Sequence, residues 1–314
     1  MLQIIDKLVG ETPLEALERF RLGKIQAEKN GNDTNSGASI LGTHSWKGVP
    51  LTYAGRLDPM AEGKLLILIG EECKDKEKYL WLDKEYEVEI VIGLETDTYD
   101  ALGIVTNEIG ASGIHLKSES KVRWMSIESN DLAISAGIET VNQQWLQRYT
   151  GKFVQPYPPY SSKTVNGKQL HELARSGELP TQDEMPTKEV EIYLIDLLSG
   201  GKIGADLLLA KILQKIDLVK GDFRQEEIKK QWVQKLTKNW STLPVMQKGL
   251  LSGDHTDTSE EIANQMNHIE FALIKLRVKC SSGTYMRSLA HRIGRDLGTG
   301  AFALSIKRTK ICAG

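Results

Sequence analysis

Residues Glu85–Ile92 have the sequence EYEVEIVI, and this stretch decides the fold class of the chain. Its glutamates alternate with Tyr86 and aliphatic residues, which is the period of two of a strand that buries one face. Residues 273–280 repeat the alternation, with aliphatic residues and Cys280 on one side and basic residues on the other. The two stretches predict half-buried strands, and the second strand has a basic outer row formed by Lys275, Arg277 and Lys279.

A turn and a helix are predicted directly after the second strand. Residues 281–284 (SSGT) favour a turn, and apolar residues then recur at helical spacing from Met286 to Leu297. Gly298 is placed to cap the end of this helix. Earlier in the chain, residues 64–70 (KLLILIG) form a short apolar run typical of a strand that is buried on both faces.

The first helix is predicted to begin at residues 12–15 (TPLE). The Thr hydroxyl and the Glu carboxylate can cap free backbone amides, while the Pro occupies a position that needs no amide hydrogen. Leu14, Leu17 and Phe20 are predicted to face the core. Because strands and helices do not alternate regularly, the pattern favours an α+β domain with a mixed, largely antiparallel sheet over a doubly wound parallel sheet.

Two stretches are predicted to be additions at the edges of this framework. Residues 104–140 are rich in Ser and Gly and have no clear period. Residues 202–266 are basic in their first part, where residues 202–240 contain nine Lys and Arg against five Asp and Glu. Within that part a helix is predicted from apolar residues that repeat every four positions. These residues are Ile228, Trp232, Leu236 and Trp240.

The composition disfavours several functional classes. The chain has 314 residues, of which 40% are hydrophobic, and a formal net charge of −2, so overall charge indicates neither a nucleic-acid nor a membrane partner. The N-terminus MLQIIDKLVGETP lacks the basic start of a signal peptide, and no segment approaches about 18 consecutive apolar residues. The cysteines and histidines fit no zinc spacing, and no phosphate-binding glycine motif is present. We expect a soluble cytoplasmic protein without a metal or another cofactor.

Residues 55–63 (GRLDPMAEG) carry the clearest indication of chemistry. Asp58 lies between Leu57 and Pro59 and just before the buried strand, so its carboxylate is predicted on a constrained turn against an apolar wall. Such a carboxylate needs a fixed cation nearby to stay ionised. The alternative is that Asp58 only caps a turn, which Asp-Pro sequences commonly do. Taken alone, this stretch favours the alternative.

Five separated motifs, however, resemble those of the TruB family of tRNA pseudouridine synthases. GRLDPMAEG is similar to the family's G-x-LDP-x-A-x-G motif, and all five occur in the family's order over most of the chain. The other four are DKLVGET at 6–12; KEY at 84–86 with GLETDTYDALG at 93–103; PPYSSK at 158–163 with GK at 167–168 and AR at 174–175; and SGTYMRSL at 282–289 with Gly298, Gly300-Ala301 and KRT at 307–309.

The resemblance implies a pseudouridine synthase fold and an isomerase that works without a cofactor. The reaction breaks the N-glycosidic bond of a uridine and rejoins the ribose through carbon C5 of the base. Asp58 is implied to act as the nucleophile or as a base, and Arg287 to keep it ionised. Tyr86 is implied to stack on the extruded uracil and to assist a late proton transfer, whereas composition alone predicts a core aromatic.

Three further positions correspond to substrate contacts of the family. They are Tyr53, Tyr285 and Ile306, and for Ile306 a purely structural place in the core explains the sequence nearly as well. Tyr53 departs from the family, which commonly has His there. A tyrosine can stack and form hydrogen bonds but cannot become a cation near neutral pH, so the departure affects how the nucleotide is held more than the chemical step.

The resemblance also implies contacts with RNA. Lys163, Lys168 and Arg175 lie in a segment similar to the family's RNA-binding insertion, although they could equally be a solvated surface. Residues 267–314 contain nine Lys and Arg, including Lys307 and Arg308, against two acidic residues. A nearly neutral chain is therefore predicted to concentrate positive charge beside its active site.

We accordingly expect residues 1–314 to form one catalytic domain, without the C-terminal PUA-type domain common in the family, and to be a monomer. The basic 202–240 segment is hypothesised to contact tRNA in its place. The expected function is isomerisation of a T-loop uridine, position 55 of tRNA. The alternatives are an RNA-binding tRNA folding chaperone with little or no catalysis, or the same chemistry on another structured RNA.

Overall fold

The fold is built on an eight-stranded sheet, seen in a computed structural model that describes residues 1–30, 45–106, 134–136, 139–181, 183–221, 223–236 and 270–312. Within these ranges the helices are α1 (Pro13–Lys29), α2 (Lys76–Leu80), α3 (Gln143–Leu146), α4 (Leu170–Ser176), α5 (Ala205–Leu218), α6 (Gln225–Leu236) and α7 (Met286–Asp296). The strands are β1 (Leu2–Lys7), β2 (Leu51–Ala54), β3 (Glu62–Ile69), β4 (Asp83–Ile92), β5 (Ile134–Ala136), β6 (Glu139–Val141), β7 (Gly151–Pro156), β8 (Thr164–Val165), β9 (Lys168–Gln169), β10 (Thr187–Gly204), β11 (Glu270–Cys280) and β12 (Ala301–Cys312).

The large sheet is mixed and largely antiparallel, as the sequence predicts. Its order is β1-β3-β12-β4-β11-β10-β7, and β2 pairs with β3 beside this path. The β3–β12 pairing is parallel, with Lys307 opposite Glu62 and Arg308 opposite Gly63, while the other pairings in this sheet are antiparallel. The α+β fold class is therefore confirmed.

The two alternating stretches form neighbouring central strands. On β4 and β11, Tyr86 lies opposite Val278 and Val88 opposite Leu276, and all four side chains are buried. This inward face packs against α7, whose Leu289 is also buried and which begins after the predicted glycine turn. The predicted strand, turn and helix are confirmed.

The outward face of the same strands differs from the prediction of a basic row. Lys275 pairs with Glu87 at 2.8 Å, and Lys310 with Glu85 at 3.3 Å. The glutamates of β4 thus alternate with the cations of its neighbours, because both sets point away from the core. In the predicted row itself, Lys275 pairs with Glu87 and Arg277 lies 4.0 Å from Asp196 of β10, so the positive charge of the row is neutralised in part.

Helices α5 and α6 cover part of the sheet and pack against Val91 and Phe302. Ile228, Trp232 and Leu236 are buried as the fourfold repeat predicts, and Trp232 Nε1 donates to the Gly103 carbonyl at 3.0 Å. This part of the 202–266 stretch therefore contributes to the core and is more than an edge addition. Trp240, the rest of that stretch and residues 107–133 of the other predicted addition lie outside the described residues.

Helix α1 begins as predicted, with a complete capping box between Thr12 and Glu15. The prediction that Leu14 faces the core is wrong, since this side chain is 65% exposed. Ala16 and Leu17 occupy the buried face of the first turns instead. None of the helices in the described ranges is long and apolar enough to cross a membrane.

Candidate active site

Asp58 lies on a turn whose main-chain carbonyls accept hydrogen bonds from a buried lysine. Lys7 Nζ donates to the carbonyls of Ala61 at 2.5 Å, Leu8 at 2.9 Å and Pro59 at 3.4 Å. The Ala61 amide closes the turn by donating to the Asp58 carbonyl at 3.0 Å. Burial lowers the pKa of Lys7 to about 8. The end of β1 therefore fixes the backbone on which the carboxylate sits.

Arg287, at the start of α7, is the cation that the carboxylate needs. Its Nε donates to Asp58 Oδ2 at 2.8 Å, and its side chain is only 3% exposed. The other two guanidinium nitrogens donate to main-chain carbonyls, Nη1 to Thr98 at 3.0 Å and Nη2 to Tyr160 at 3.2 Å. Three directional bonds fix the plane of the guanidinium, so it is aimed at Asp58 before any substrate arrives.

A second carboxylate, Asp100, completes the buried charge cluster. Its Oδ2 lies 3.6 Å from Arg287 Nε, and the group accepts bonds from Thr98 Oγ1 at 2.7 Å and the Leu102 amide at 2.9 Å. Burial raises the pKa of Asp100, against the opposing effect of Arg287. Burial lowers the pKa of Arg287, but Asp58 and Asp100 outweigh it and the net shift is upward. The guanidinium stays charged between the two acids.

A cavity of about 290 Å³ opens above this cluster. The Asp58 side chain is 32% exposed and the Arg287 side chain 3%, so the carboxylate is the more accessible member of the pair. A larger open groove of about 1300 Å³ is lined by other residues, including Tyr157 and His291, and does not include Asp58. The smaller cavity is lined by Asp58, Pro59, Met60, Thr98, Asp100, Leu102, Tyr160, Arg175, Val219, Lys220, Gly221, Phe223, Arg224 and Arg287.

Tyr86 and Tyr285 both lie near Asp58. Burial raises the pKa of Tyr86, which Arg308 partly offsets, and the Asp58 charge raises it further. Burial and then Asp58 raise the pKa of Tyr285 to about 12. Gln155 holds the backbone of Tyr285 from both sides, since its Oε1 accepts from the amide at 2.8 Å and its Nε2 donates to the carbonyl at 3.2 Å. Both phenols are therefore protonated at neutral pH.

Arg308, from the C-terminal basic segment, is placed differently from the prediction. Arg308 is 1% exposed, with Nε donating to the Lys64 carbonyl at 2.6 Å and Nη2 to the Gly55 carbonyl at 3.1 Å. It therefore ties the segment around Asp58 to β12 and is not a surface contact for RNA. Lys307 is exposed but lies on the sheet face opposite Ile306, across from Glu87. The buried Ile306 faces the core beside Tyr86.

The remaining residues that were predicted to contact the substrate or RNA are in different surroundings. Tyr53 packs with the cluster under α1, with Lys76 Nζ 5.2 Å from its ring centroid. Lys163 Nζ lies 5.4 Å from the ring centroid of Tyr157, and exposed Lys168 pairs with Glu178 at 3.0 Å. Arg175 lines the cavity itself. Of the RNA-contact candidates, Arg175 is thus the one that the structure brings to Asp58.

Sequence reasoning assigned no role to Lys7, Asp100 or Lys84. Lys84 is buried, donates to the Leu80 carbonyl at 2.9 Å and the Ser282 hydroxyl at 3.2 Å, and has its pKa lowered to about 8 by burial and by Arg308. The signal available for all three was the set of family motifs, because Lys7 lies in DKLVGET, Lys84 in KEY and Asp100 in GLETDTYDALG. Among the described residues, no group of three or more His, Cys, Asp and Glu side chains could hold a metal ion.

Comparison with known proteins places this site in a family context. The family model described as "TruB family pseudouridylate synthase (N terminal domain)" matches residues 50–126 and 125–212. The tRNA pseudouridine synthase B of Bifidobacterium longum (strain NCC 2705) is 25% identical over 312 residues, which are 99% of this chain and 62% of that protein. That of Francisella tularensis subsp. tularensis (strain SCHU S4 / Schu 4) is 28% identical over 258 residues, 82% of this chain and 54% of that one.

Solved structures give a weaker similarity. A Cbf5-Nop10-Gar1 complex contains a chain that aligns with a TM-score of 0.41 at 15% identity, covering 99% of this chain and 48% of that one. The two tRNA pseudouridine synthases B are longer than this chain, which spans about three fifths of the first and about half of the second. The family model covers more than half of the chain and includes the Asp58 turn, the segment of Thr98 and Asp100, and the loop that supplies the Tyr160 carbonyl. On this ground the chain belongs to the TruB family of pseudouridylate synthases.

Proposed function

We propose that this protein is a cytoplasmic tRNA pseudouridine synthase that isomerises a T-loop uridine, position 55 of tRNA. The observation that carries the proposal is the 2.8 Å ion pair between Arg287 and Asp58 beneath an open cavity. A turn cap would not need a buried guanidinium held by two further carbonyls. Family membership supports the reaction, and the printed names of the relatives support tRNA as the substrate.

In the proposed reaction, Asp58 acts on an extruded uridine as the nucleophile or as a base. Arg287 stabilises the charge of the carboxylate through their 2.8 Å ion pair. The protonated phenol of Tyr86 is suited to stack beside the base and to take part in a late proton transfer. Arg175 at the cavity rim and Lys163 near Tyr157 are proposed to contact RNA phosphates.

The test is pseudouridine mapping on an unmodified tRNA transcript incubated with the purified protein, with Asp58→Asn alongside. A new pseudouridine at one T-loop position, absent with the variant, is the expected result. Tight tRNA binding without any product would contradict the proposal and support the folding chaperone. Product on a different structured RNA, but not on tRNA, would retain the chemistry and replace the substrate.

A further inference from the structure

The turn between α5 and α6 reaches the cavity above Asp58. Helix α5 ends against the N-terminal motif, where Gly10 adopts φ 87° and an added Cβ would overlap the Leu218 carbonyl. The Gly10 amide in turn donates to the Pro59 carbonyl at 2.9 Å. The turn between α5 and α6 therefore packs next to the backbone segment that contains Asp58. Its residues Val219, Lys220, Gly221, Phe223 and Arg224 line the cavity.

Arg224 has an unusual backbone and a well-defined side-chain position. Its φ is 71°, a left-handed conformation that is unfavourable for a residue other than glycine. Its Nη2 lies 3.0 Å from Asp97 Oδ2, and its guanidinium carbon lies 5.0 Å from the ring centroid of Tyr160. The guanidinium thus joins two segments that are far apart in sequence.

Both segments also hold Arg287. Thr98, which follows Asp97, accepts from Arg287 Nη1, and the carbonyl of Tyr160 accepts from Nη2. Asp97 is fixed further because its Oδ1 accepts from the Ile104 amide at 2.8 Å. Moving either segment would move a carbonyl that sets the plane of the Arg287 guanidinium.

We propose that Arg224 is a positioning residue of the active site, which clamps the Asp97 and Tyr160 segments so that their carbonyls aim Arg287 at Asp58. This inference rests on the proposed function. Arg224 acts through Arg287, and the contacts that define this role are those with Asp97 and Tyr160. The role differs from the tRNA contact predicted for the basic 202–240 segment, because its partners are groups of the protein.

Two variants separate positioning from folding. Arg224→Gly removes the guanidinium and suits the left-handed backbone, so the turn is retained. Arg224→Lys keeps a charge for Asp97 but loses the planar group over Tyr160. Lys29→Gln is the control, since it removes an exposed charge at the end of α1, outside the cavity lining and outside the basic 202–240 segment.

The measurements are the single-turnover rate of pseudouridine formation and the dissociation constant for tRNA. Arg224→Gly is expected to slow the reaction roughly 10- to 100-fold, the effect of a small misplacement in a catalytic site, with nearly unchanged tRNA affinity. Arg224→Lys should be intermediate, and Lys29→Gln should match the wild type.

An Arg224→Gly protein with the single-turnover rate of the wild type would overturn the inference. So would a loss confined to tRNA affinity, which would make Arg224 an RNA contact. If Arg224→Gly melts below the assay temperature, Arg224→Lys decides by the same criteria. A wild-type protein without activity would overturn the proposed function, and this inference with it, whereas an active wild type with an unaffected variant overturns only the role of Arg224.

Discussion

At the scale of single residues, the stability of the site depends most on Arg287, because it lies between two carboxylates in the interior. Arg287→Met leaves Asp100 buried without its cation, and we expect the free energy of unfolding to fall by about 3–5 kcal/mol. Urea denaturation at pH 7 measures it. Adding Asp100→Asn should recover part of the loss, whereas Asp58→Asn alone should change stability little, since that carboxylate is partly exposed. Equal stability of Arg287→Met and the wild type would contradict this account.

Lys7 makes a second prediction at this scale, about the turn that carries Asp58. Lys7→Met leaves the buried Ala61 carbonyl and its neighbours without their donor, at an expected cost of about 2–3 kcal/mol in the free energy of unfolding. The comparison variant is Lys64→Met, which removes an exposed lysine paired with Asp6 and should cost less than about 1 kcal/mol. Similar losses in the two variants, measured by urea denaturation, would show that Lys7 does not support the turn.

At the scale of elements, the parallel pairing of β3 with β12 depends on close backbone approach at Gly63. This residue has φ 105°, and an added Cβ would overlap the carbonyl oxygen of Arg308. Gly63→Ala should therefore reduce the free energy of unfolding by at least about 2 kcal/mol. Gly48→Ala, where a Cβ meets nothing within 4 Å, is the matched control and should be nearly neutral. Thermal melting of both variants tests the difference.

Element patterns also show what the sequence can and cannot predict. The strands β4 and β11, helix α7 and the α1 cap were predictable because their signals lie within a few consecutive residues. The burial of Arg308 was not, since it arises from the pairing of β12 with β3, elements distant in sequence. The partial neutralisation of the positive row on β11 was not predictable for the same reason, because Glu87 comes from β4 and Asp196 from β10.

The candidate site also has one part that the sequence predicts and another part that it does not. The Asp58–Arg287 pair followed from the family motifs and from the need of a desolvated carboxylate for a cation, and the structure brings the two together. The support from Lys7, the Thr98 and Tyr160 carbonyls and Arg224 depends on main-chain geometry that residue types do not reveal.

At the scale of the whole molecule, His291 links α7 to the loop after β4 and makes stability depend on pH. Its ring stacks on Tyr99 at 3.8 Å between centroids, and its side chain is 16% exposed. Burial, with a smaller contribution from Arg295, lowers its pKa to about 4, although Glu95 lies 3.4 Å from Nδ1. The folded protein therefore keeps the imidazole neutral where the unfolded chain would protonate it.

The direction in which pH changes the free energy of unfolding follows from the protons that His291 binds in the folded and unfolded states. Between pH 6.5 and 4 the unfolded chain binds more protons at this residue, so its contribution to stability is constant above pH 6.5 and is lost as the pH falls toward 4. His291→Phe keeps an aromatic ring beside Tyr99 but cannot titrate. From pH 7 to pH 4.5 the wild type should lose about 2 kcal/mol more unfolding free energy than this variant. Urea denaturation of both proteins at the two pH values measures the difference, and parallel losses would mean that the buried imidazole does not control the acid sensitivity of the fold.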